Sequence, residues 1–442
     1  MGSGASKPVR GVRRPGVLTA TRLGRLAILR PLGIRDFALL WFGMTVSMLG
    51  DGIYFVAIAW QVYELSNAPT ALSAVGVAWT LPMVLFLLLG GVVSDRLERR
   101  RVLIAADVVR GIAIAAIGVL SVTGALELWH LIVIVAIYGV GEAFFGPAFG
   151  AIVPQLVPPT LLVEANSLNQ VVRPLAHRLV GPALGGWLIA AVGIGEAFLV
   201  DAASFAVSAA ALALMQARPL DRSEAGEPSA LREAVEGLRF VRSQTWLWGT
   251  LLAASVAVAA FWGPVEVLVP YIVKNDLGGG ADDLGLVFAA GGLGAVVAAP
   301  VLAQRGLPRR RITFMYVVWT LATAVIAGYG VATALWQAML VSFVSGATAA
   351  AGLVVWATLM QTLVPGRLLG RVQSVDWLVS IGLVPVSFAA TGPLAEAIGH
   401  DETLIWAGAV SGVVTLAFLF LPGMRDPERA AVGRYAAESA TS

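Results

Sequence analysis

Three carboxylic acids, Asp51, Glu142 and Glu266, and three bases, Arg173, Arg178 and His177, sit inside long apolar stretches of this sequence. A charge at the centre of a bilayer costs about 2.5–3.5 kcal/mol on insertion scales, so such residues mark ion pathways, proton relays or ligand sites. A carboxyl in a poorly hydrated cavity can take up and release a proton, and it also attracts a cationic amphiphile. Asp51 and Glu142 are the candidate proton-coupling groups, and Glu266, Asp51 and Arg178 the candidate substrate contacts. A guanidinium cannot shed its proton, so Arg178 needs a counter-ion. Asp51 or Glu142 could supply it, as a bridge that opens on protonation or as a permanent packing pair. His177 could titrate or simply be hydrogen-bonded. Asp107 and Arg110, three residues apart, read as a local ion pair, and Asp201 as a structural acid. Trp60, Trp262 and Trp356 could each touch an aromatic substrate.

Other chemistries find no residues to carry them. The chain has no cysteine, so it has no thiol nucleophile and no zinc-thiolate site. Neither of its two lysines, Lys7 and Lys274, lies in a Gly-x-x-x-x-Gly-Lys-Ser/Thr loop, which excludes ATP hydrolysis by a P-loop. His130, His177 and His400 form no pair with metal-ligand spacing, and no metal or cofactor is expected. No Gly-x-Ser-x-Gly or complete Gly-x-Gly-x-x-Gly is present. A membrane enzyme is therefore disfavoured, and an ion gradient is the expected energy source.

The elements that hold these residues are legible in the composition. Of the 442 residues 58% are hydrophobic and 13% charged, far from the balance of a soluble domain. Twelve stretches are long enough to cross a bilayer as helices: 37–63, 71–94, 102–124, 128–150, 166–192, 196–216, 246–272, 284–304, 312–331, 335–361, 371–397 and 403–422. Of 30 basic residues, 26 fall on one side of that arrangement and one, Lys274, on the other; Arg110, Arg173 and Arg178 lie within spans. The positive-inside rule then puts both termini in the cytoplasm of a plasma (inner) membrane. The chain reads as a basic tail (1–36), a six-helix bundle (37–216), a cytoplasmic linker (217–245), a second six-helix bundle (246–422) and a second tail (423–442). Within the linker, Leu231, Val235, Leu238 and Val241 recur at helical spacing and predict an amphipathic helix against the membrane surface.

The halves echo each other. A basic turn, Gly91-Val-Val-Ser-Asp95-Arg96-Leu-Glu98-Arg99-Arg100-Arg101, joins spans two and three, and Arg305 to Arg311 form its counterpart between spans eight and nine. The first turn resembles the loop motif of the major facilitator superfamily, with Glu98 where the general pattern has glycine. Gly181-Pro182-Ala-Leu-Gly185-Gly186 resembles the core of the motif typical of proton-coupled exporters, with His177 replacing its usual earlier glycine. Further stretches (Asp107 to Arg110, Glu164 to Leu168, Val200 to Phe205, Glu236 to Phe240, Gly370 to Val372, and Gly50-Asp51-Gly52) resemble the branch of macrolide and multidrug efflux pumps and enterobactin exporters.

The resemblance implies an all-α integral membrane protein whose spans one, four, seven and ten line a central cavity. Asp51, Glu142 and Glu266 fall on that set. It implies that Gly91, Asp95, Arg96, Arg99 and Arg100 form a gating loop, with Asp95 helping to hold the halves together, and that Gly181 and Gly185 permit close helix approach. The expected activity is export of amphipathic small molecules by proton antiport with alternating access, by a monomer with no nucleic-acid partner. Siderophore export, a proton-coupled uptake symporter, and a non-transporting membrane receptor are the competing readings. The charge asymmetry makes a topological prediction. A tag placed in 217–245 is accessible only from the cytoplasm, and a cysteine placed in 274–283 is labelled from outside intact cells. Labelling of 274–283 from the cytoplasm would overturn the span assignment.

Overall fold

The structure, a computed structural model, describes residues 27–217 and 230–429. Within them twelve helices are long and apolar enough to cross a membrane: α1 (Arg35–Leu65), α2 (Pro69–Ser94), α3 (Arg99–Val122), α4 (Leu128–Leu156), α5 (Pro159–Val192), α6 (Ile194–Ala213), α7 (Thr245–Asn275), α8 (Ala281–Leu302), α9 (Arg311–Val331), α10 (Leu335–Leu363), α11 (Leu368–Ile398) and α12 (His400–Phe418). In hydrocarbon each backbone amide must be satisfied within its own helix, which is why apolar runs of this length fold this way. Several helices outrun the apolar stretch that predicts them, α4 through Leu156 and α5 from Pro159, because helical hydrogen bonding does not stop where the bilayer does. α6 and α12 stop short of 216 and 422; behind α12, Pro422 is followed by Gly423 at φ 87°.

Twelve crossings return the chain to the face it left, so Ala27 and Arg429 share one face, the terminal face. The packing repeats with a shift of six helices. α1 packs on α6 as α7 packs on α12, α2 on α4 as α8 on α10, and α3 on both α4 and α6 as α9 on both α10 and α12. The seams between halves are α2 against α11 and α5 against α8, which the same shift interchanges. Such interchangeable seams are the mark of a duplicated bundle.

The polar ties between halves cluster at the opposite face. Tyr63 donates to the Val267 carbonyl at 2.6 Å. Lys274 donates to the Tyr63 carbonyl and to Glu64, each at 2.8 Å, and lies 5.5 Å from the centre of the Trp60 ring. Asn67 donates to Asn275 at 2.7 Å. The seams follow the same bias. α11 meets α2 mainly through Val384–Ile398, and α8 meets α5 along its Pro174–Val192 portion. Towards the terminal face the halves diverge.

α5 is not a uniform helix. Leu162–Arg173 is α-helical, Pro174–Val180 is a π-helical turn, and Gly181–Val192 is α-helical again. Pro174 and Pro182 carry no N–H, which loosens the ladder at both ends of the wide turn. The exporter-motif glycines then set the spacing. A Cβ on Gly181 would stand 2.7 Å from the Cα of Gly52, and one on Gly185 2.8 Å from the Cα of Ile53, so α1 and α5 touch backbone to backbone. Gly186 faces the start of α8 in the same way, against the Asp282 Cα at 2.8 Å. The room around Gly50 and Gly52 is accordingly filled by helices, α6 at Gly50 and α5 at Gly52.

The linker helix (Ala230–Ser243) docks on the protein as well as facing the surface. Glu236 pairs with Arg371, Gly237 lies against the Arg371 backbone, and Val241 is buried with Trp246, Leu247 and Val372. Leu238 alone of the described apolar row remains exposed. Leu231 and Val235 lie outside the described side chains, as do the whole of 1–26, 218–229 and 430–442 outside the described residues.

The glycine contacts carry a prediction. Gly185→Leu forces α1 and α5 apart and costs about 1–3 kcal/mol or more, the range for overpacking a closed interior. In detergent its thermal midpoint falls clearly below that of Gly146→Leu, where a Cβ meets open space. Equal midpoints would deny the close approach.

Candidate functional site

The candidate residues divide into two groups. The first lies inside the N-terminal half. Asp51, midway along α1, accepts a hydrogen bond from Tyr138 of α4 at 3.0 Å. Tyr138 in turn stacks on Tyr54, with centroids 5.1 Å apart. Asp107 and Arg110 form the expected ion pair, at 2.5 Å, and both are almost fully buried. The second oxygen of Asp107 accepts from Ser208 of α6 at 2.7 Å. The guanidinium of Arg110 lies 4.3 Å from the Phe145 ring centre and 4.7 Å from that of Phe205, so rings from α4 and α6 sandwich it. Desolvated contacts of this kind contribute about 2 kcal/mol each.

Arg110, rather than Arg178, is the cation whose charge bears most on Asp51. On α5, the base whose field reaches Glu142 and Asp51 is Arg173, one turn nearer the terminal face than Arg178. The bridge expected between Arg178 and Asp51 or Glu142 is not formed, because α5 turns Arg178 towards α8, where its backbone meets Gly292. Arg178 instead exerts its charge on Glu266. Asp201 is fully buried beside Gly50, accepts from Ser204 at 3.2 Å, and feels the charge of Asp51.

The second group lines a pocket between the halves, beneath the closed opposite face. The space is walled by Tyr54, Phe55, Trp79, Phe288 and Phe388, with aliphatic side chains between them. Glu266 is its one acidic lining residue. Phe55 makes edge-on contacts with Trp79, His177 and Phe288, which draws His177 to the margin of the pocket. Trp79 donates its indole N–H to Glu142 at 2.7 Å. Glu142 therefore stands behind the pocket wall, and Glu266 within the wall.

The three tryptophans singled out from the sequence do not line this pocket. Trp60 lies under Lys274 at the opposite face, Trp262 packs on Phe261, and Trp356 is buried and donates to Asp376 at 3.2 Å. The tryptophan of the pocket, Trp79, is on α2, outside the set of spans expected to line a cavity. Asp376 itself was overlooked, although an acid six residues into the eleventh apolar stretch is a visible signal.

The basic turn between α2 and α3 acts on helix ends. Arg99 donates to the Ala151 carbonyl at 2.9 Å, and Arg100 to the carbonyls of Leu212 and Ala213 at 2.8 Å. Each guanidinium thus donates to carbonyls in the last turns of a helix and answers the negative end of its dipole, on α4 and α6 respectively. Arg101 pairs with Glu98 at 2.7 Å. Arg96 is exposed, Gly91 has open space where a Cβ would stand, and the side chain of Asp95 lies outside the described residues.

Comparison with known proteins agrees with this architecture. The chain is 30% identical over 408 residues to the multidrug efflux pump Tap of Mycolicibacterium fortuitum, covering 88% of this chain and 96% of that one. It is 23% identical to macrolide efflux protein A of Streptococcus pyogenes, over 85% and 93% of the two chains. Among solved structures, the nucleoside transporter NupG superposes with a TM-score of 0.67 at 11% identity, over 87% of this chain and 98% of that one. A bacterial homologue of the iron transporter ferroportin gives 0.64 at 18% identity, over 87% and 98%. The family model for transmembrane secretion effectors matches residues 26–438, and with twelve membrane helices in the major facilitator arrangement the chain belongs to that family of transporters.

Proposed function

We propose that the chain exports lipophilic, neutral or cationic aromatic compounds by proton antiport with alternating access, in a bacterial plasma membrane with both termini in the cytoplasm. The observation that supports this most is the pocket. Five aromatic rings and one carboxylate, Glu266, face a space between two halves that are tied at the opposite face and diverge at the terminal face. Aromatic walls bind flat apolar ligands through area and stacking without strict shape demands. A lone carboxylate adds preference for a cation. The relatives named for multidrug and macrolide efflux favour the same substrate range. The basic terminal face is then cytoplasmic, and this conformation is open to the cytoplasm.

Coupling would pass through the pocket wall. Tyr54 and Trp79 line the pocket, and each leads to one candidate proton carrier: Tyr54 stacks on the Tyr138 that donates to Asp51, and Trp79 donates directly to Glu142. A substrate that displaces either ring disturbs the hydrogen bond to the carboxylate behind it. Occupancy of the pocket and protonation of Asp51 and Glu142 are thereby linked without a shared contact.

Two variants test this. Asp51→Asn mimics the protonated acid. In proteoliposomes with an imposed pH difference it abolishes concentrative export, while a bound neutral substrate still equilibrates down its own gradient. Concentration of substrate as steep as that of wild type would remove Asp51 from coupling and pass the same assay to Glu142→Gln. Glu266→Gln tests the pocket separately. Two opposite charges 4 Å apart attract by about 4 kcal/mol at an effective dielectric of 20, and screening leaves at least a tenfold loss of affinity for a cationic substrate. Affinity for a neutral analogue of the same shape stays within about threefold, the scatter expected when no contact is lost. Equal losses for both would deny Glu266 a role in charge selection.

A further inference from the structure

Away from the transport pathway, at the opposite face, Asp276, His400 and Asp401 converge. His400 Nε2 lies 2.9 Å from an Asp276 carboxylate oxygen and 3.5 Å from one of Asp401. One ligand atom from each of the three residues lies within 4.8 Å of the other two. We propose that these residues bind a zinc-class divalent cation that joins the outer end of α7 to the start of α12.

The geometry suits such an ion. Zinc bonds of about 2.0–2.2 Å in a tetrahedral set hold ligand atoms roughly 3–3.5 Å apart. Both nitrogen-to-oxygen distances already lie near that range, and the partly exposed Asp276 side chain can close the remaining gap by rotation. Two carboxylates and one neutral imidazole offer a net charge of −2 to a divalent ion. The imidazole favours zinc and its transition-metal neighbours, whereas all-oxygen sets favour magnesium and calcium. Three protein ligands leave a fourth position to water.

The ring is held in place for this. His400 packs against Tyr271 with centroids 4.9 Å apart, and Gly399, at φ 97°, turns the chain so that His400 and Asp401 open α12 towards Asp276. The other two histidines are otherwise engaged. His130 Nδ1 accepts from the Glu127 N–H at 3.0 Å, and His177 lies against Phe55 at the pocket margin. The surrounding field favours a cation, since the connections at this face carry acids and a single basic residue, Lys274.

The position gives the site a consequence. Asp276 directly follows Lys274 and Asn275, which tie α7 to Glu64 and Asn67. Tyr271, which supports His400, also packs edge-on against Tyr63, the donor to Val267. An ion here pins the part of α7 that closes the opposite face.

The full chain, purified without a polyhistidine tag in lipid nanodiscs, is titrated with zinc chloride by calorimetry and with cobalt(II) by visible absorption. Wild type takes up about one equivalent of either metal, and cobalt gives a ligand-field band. His400→Gln loses the band and at least about tenfold in zinc affinity, the least that a lost ligand costs given what outer-shell losses cost. His130→Gln keeps both, which controls for histidine removal as such. Failure of wild type to bind zinc, or undiminished binding by His400→Gln that elutes as a folded particle, would overturn the proposal.

Discussion

The N-terminal half is organised around a guanidinium that can neither lose its proton nor reach water. Arg110 is 3% exposed, inside a bundle that lies in the bilayer. Removing one partner of a buried ion pair typically costs about 3–5 kcal/mol, so Arg110 depends on the groups packed around it. Asp107 answers the charge from one turn away on the same helix, and Ser208 orients Asp107 from α6. Phe145 and Phe205 cover the two faces of the guanidinium, and Gly141 leaves room for its aliphatic stem. Three helices, α3, α4 and α6, are thereby committed to one register. Asp51 stands at the edge of this arrangement, a further acid near a cation already paired, and accepts a hydrogen bond from Tyr138.

That placement separates two jobs that the sequence had suggested might share a residue. Glu266 faces the space where a substrate would sit, and Asp51 lies behind Tyr54 and Tyr138. Glu142, bound to the indole of Trp79, occupies an intermediate position. The α5 segment that brings His177 to the pocket margin and Arg178 towards Glu266 is the π-helical turn, whose extra residue per turn re-aims the side chains that follow it.

The opposite face shows how few contacts hold a transporter shut. Tyr63, Lys274 and the pair Asn67–Asn275 supply the polar ties, each of a kind that contributes about 0.5–1.5 kcal/mol net.

The class of protein, the number of crossings, the duplicated halves, the buried Asp107–Arg110 pair and the close packing at Gly181 and Gly185 are legible in the residues alone. These follow from composition, from the length of apolar runs and from residues three or four apart, all of which act locally along one helix. The sequence also marked Asp51, Glu142 and Glu266 as costly acids, because a charge within an apolar run is conspicuous without any knowledge of its neighbours. The tertiary structure decided which residues meet. That the Asp107–Arg110 pair lies near Asp51, that Arg178 exerts its charge on Glu266, that Trp79 lines the pocket while Trp60, Trp262 and Trp356 pack elsewhere, and that Asp276 reaches His400 all depend on helix rotation and on contacts between different helices. A hydropathy pattern reports how deep a residue lies in the bilayer. In spans that are apolar on nearly every side it carries no signal of which way the residue points, and the small residues that set helix rotation act only once their partners are in place.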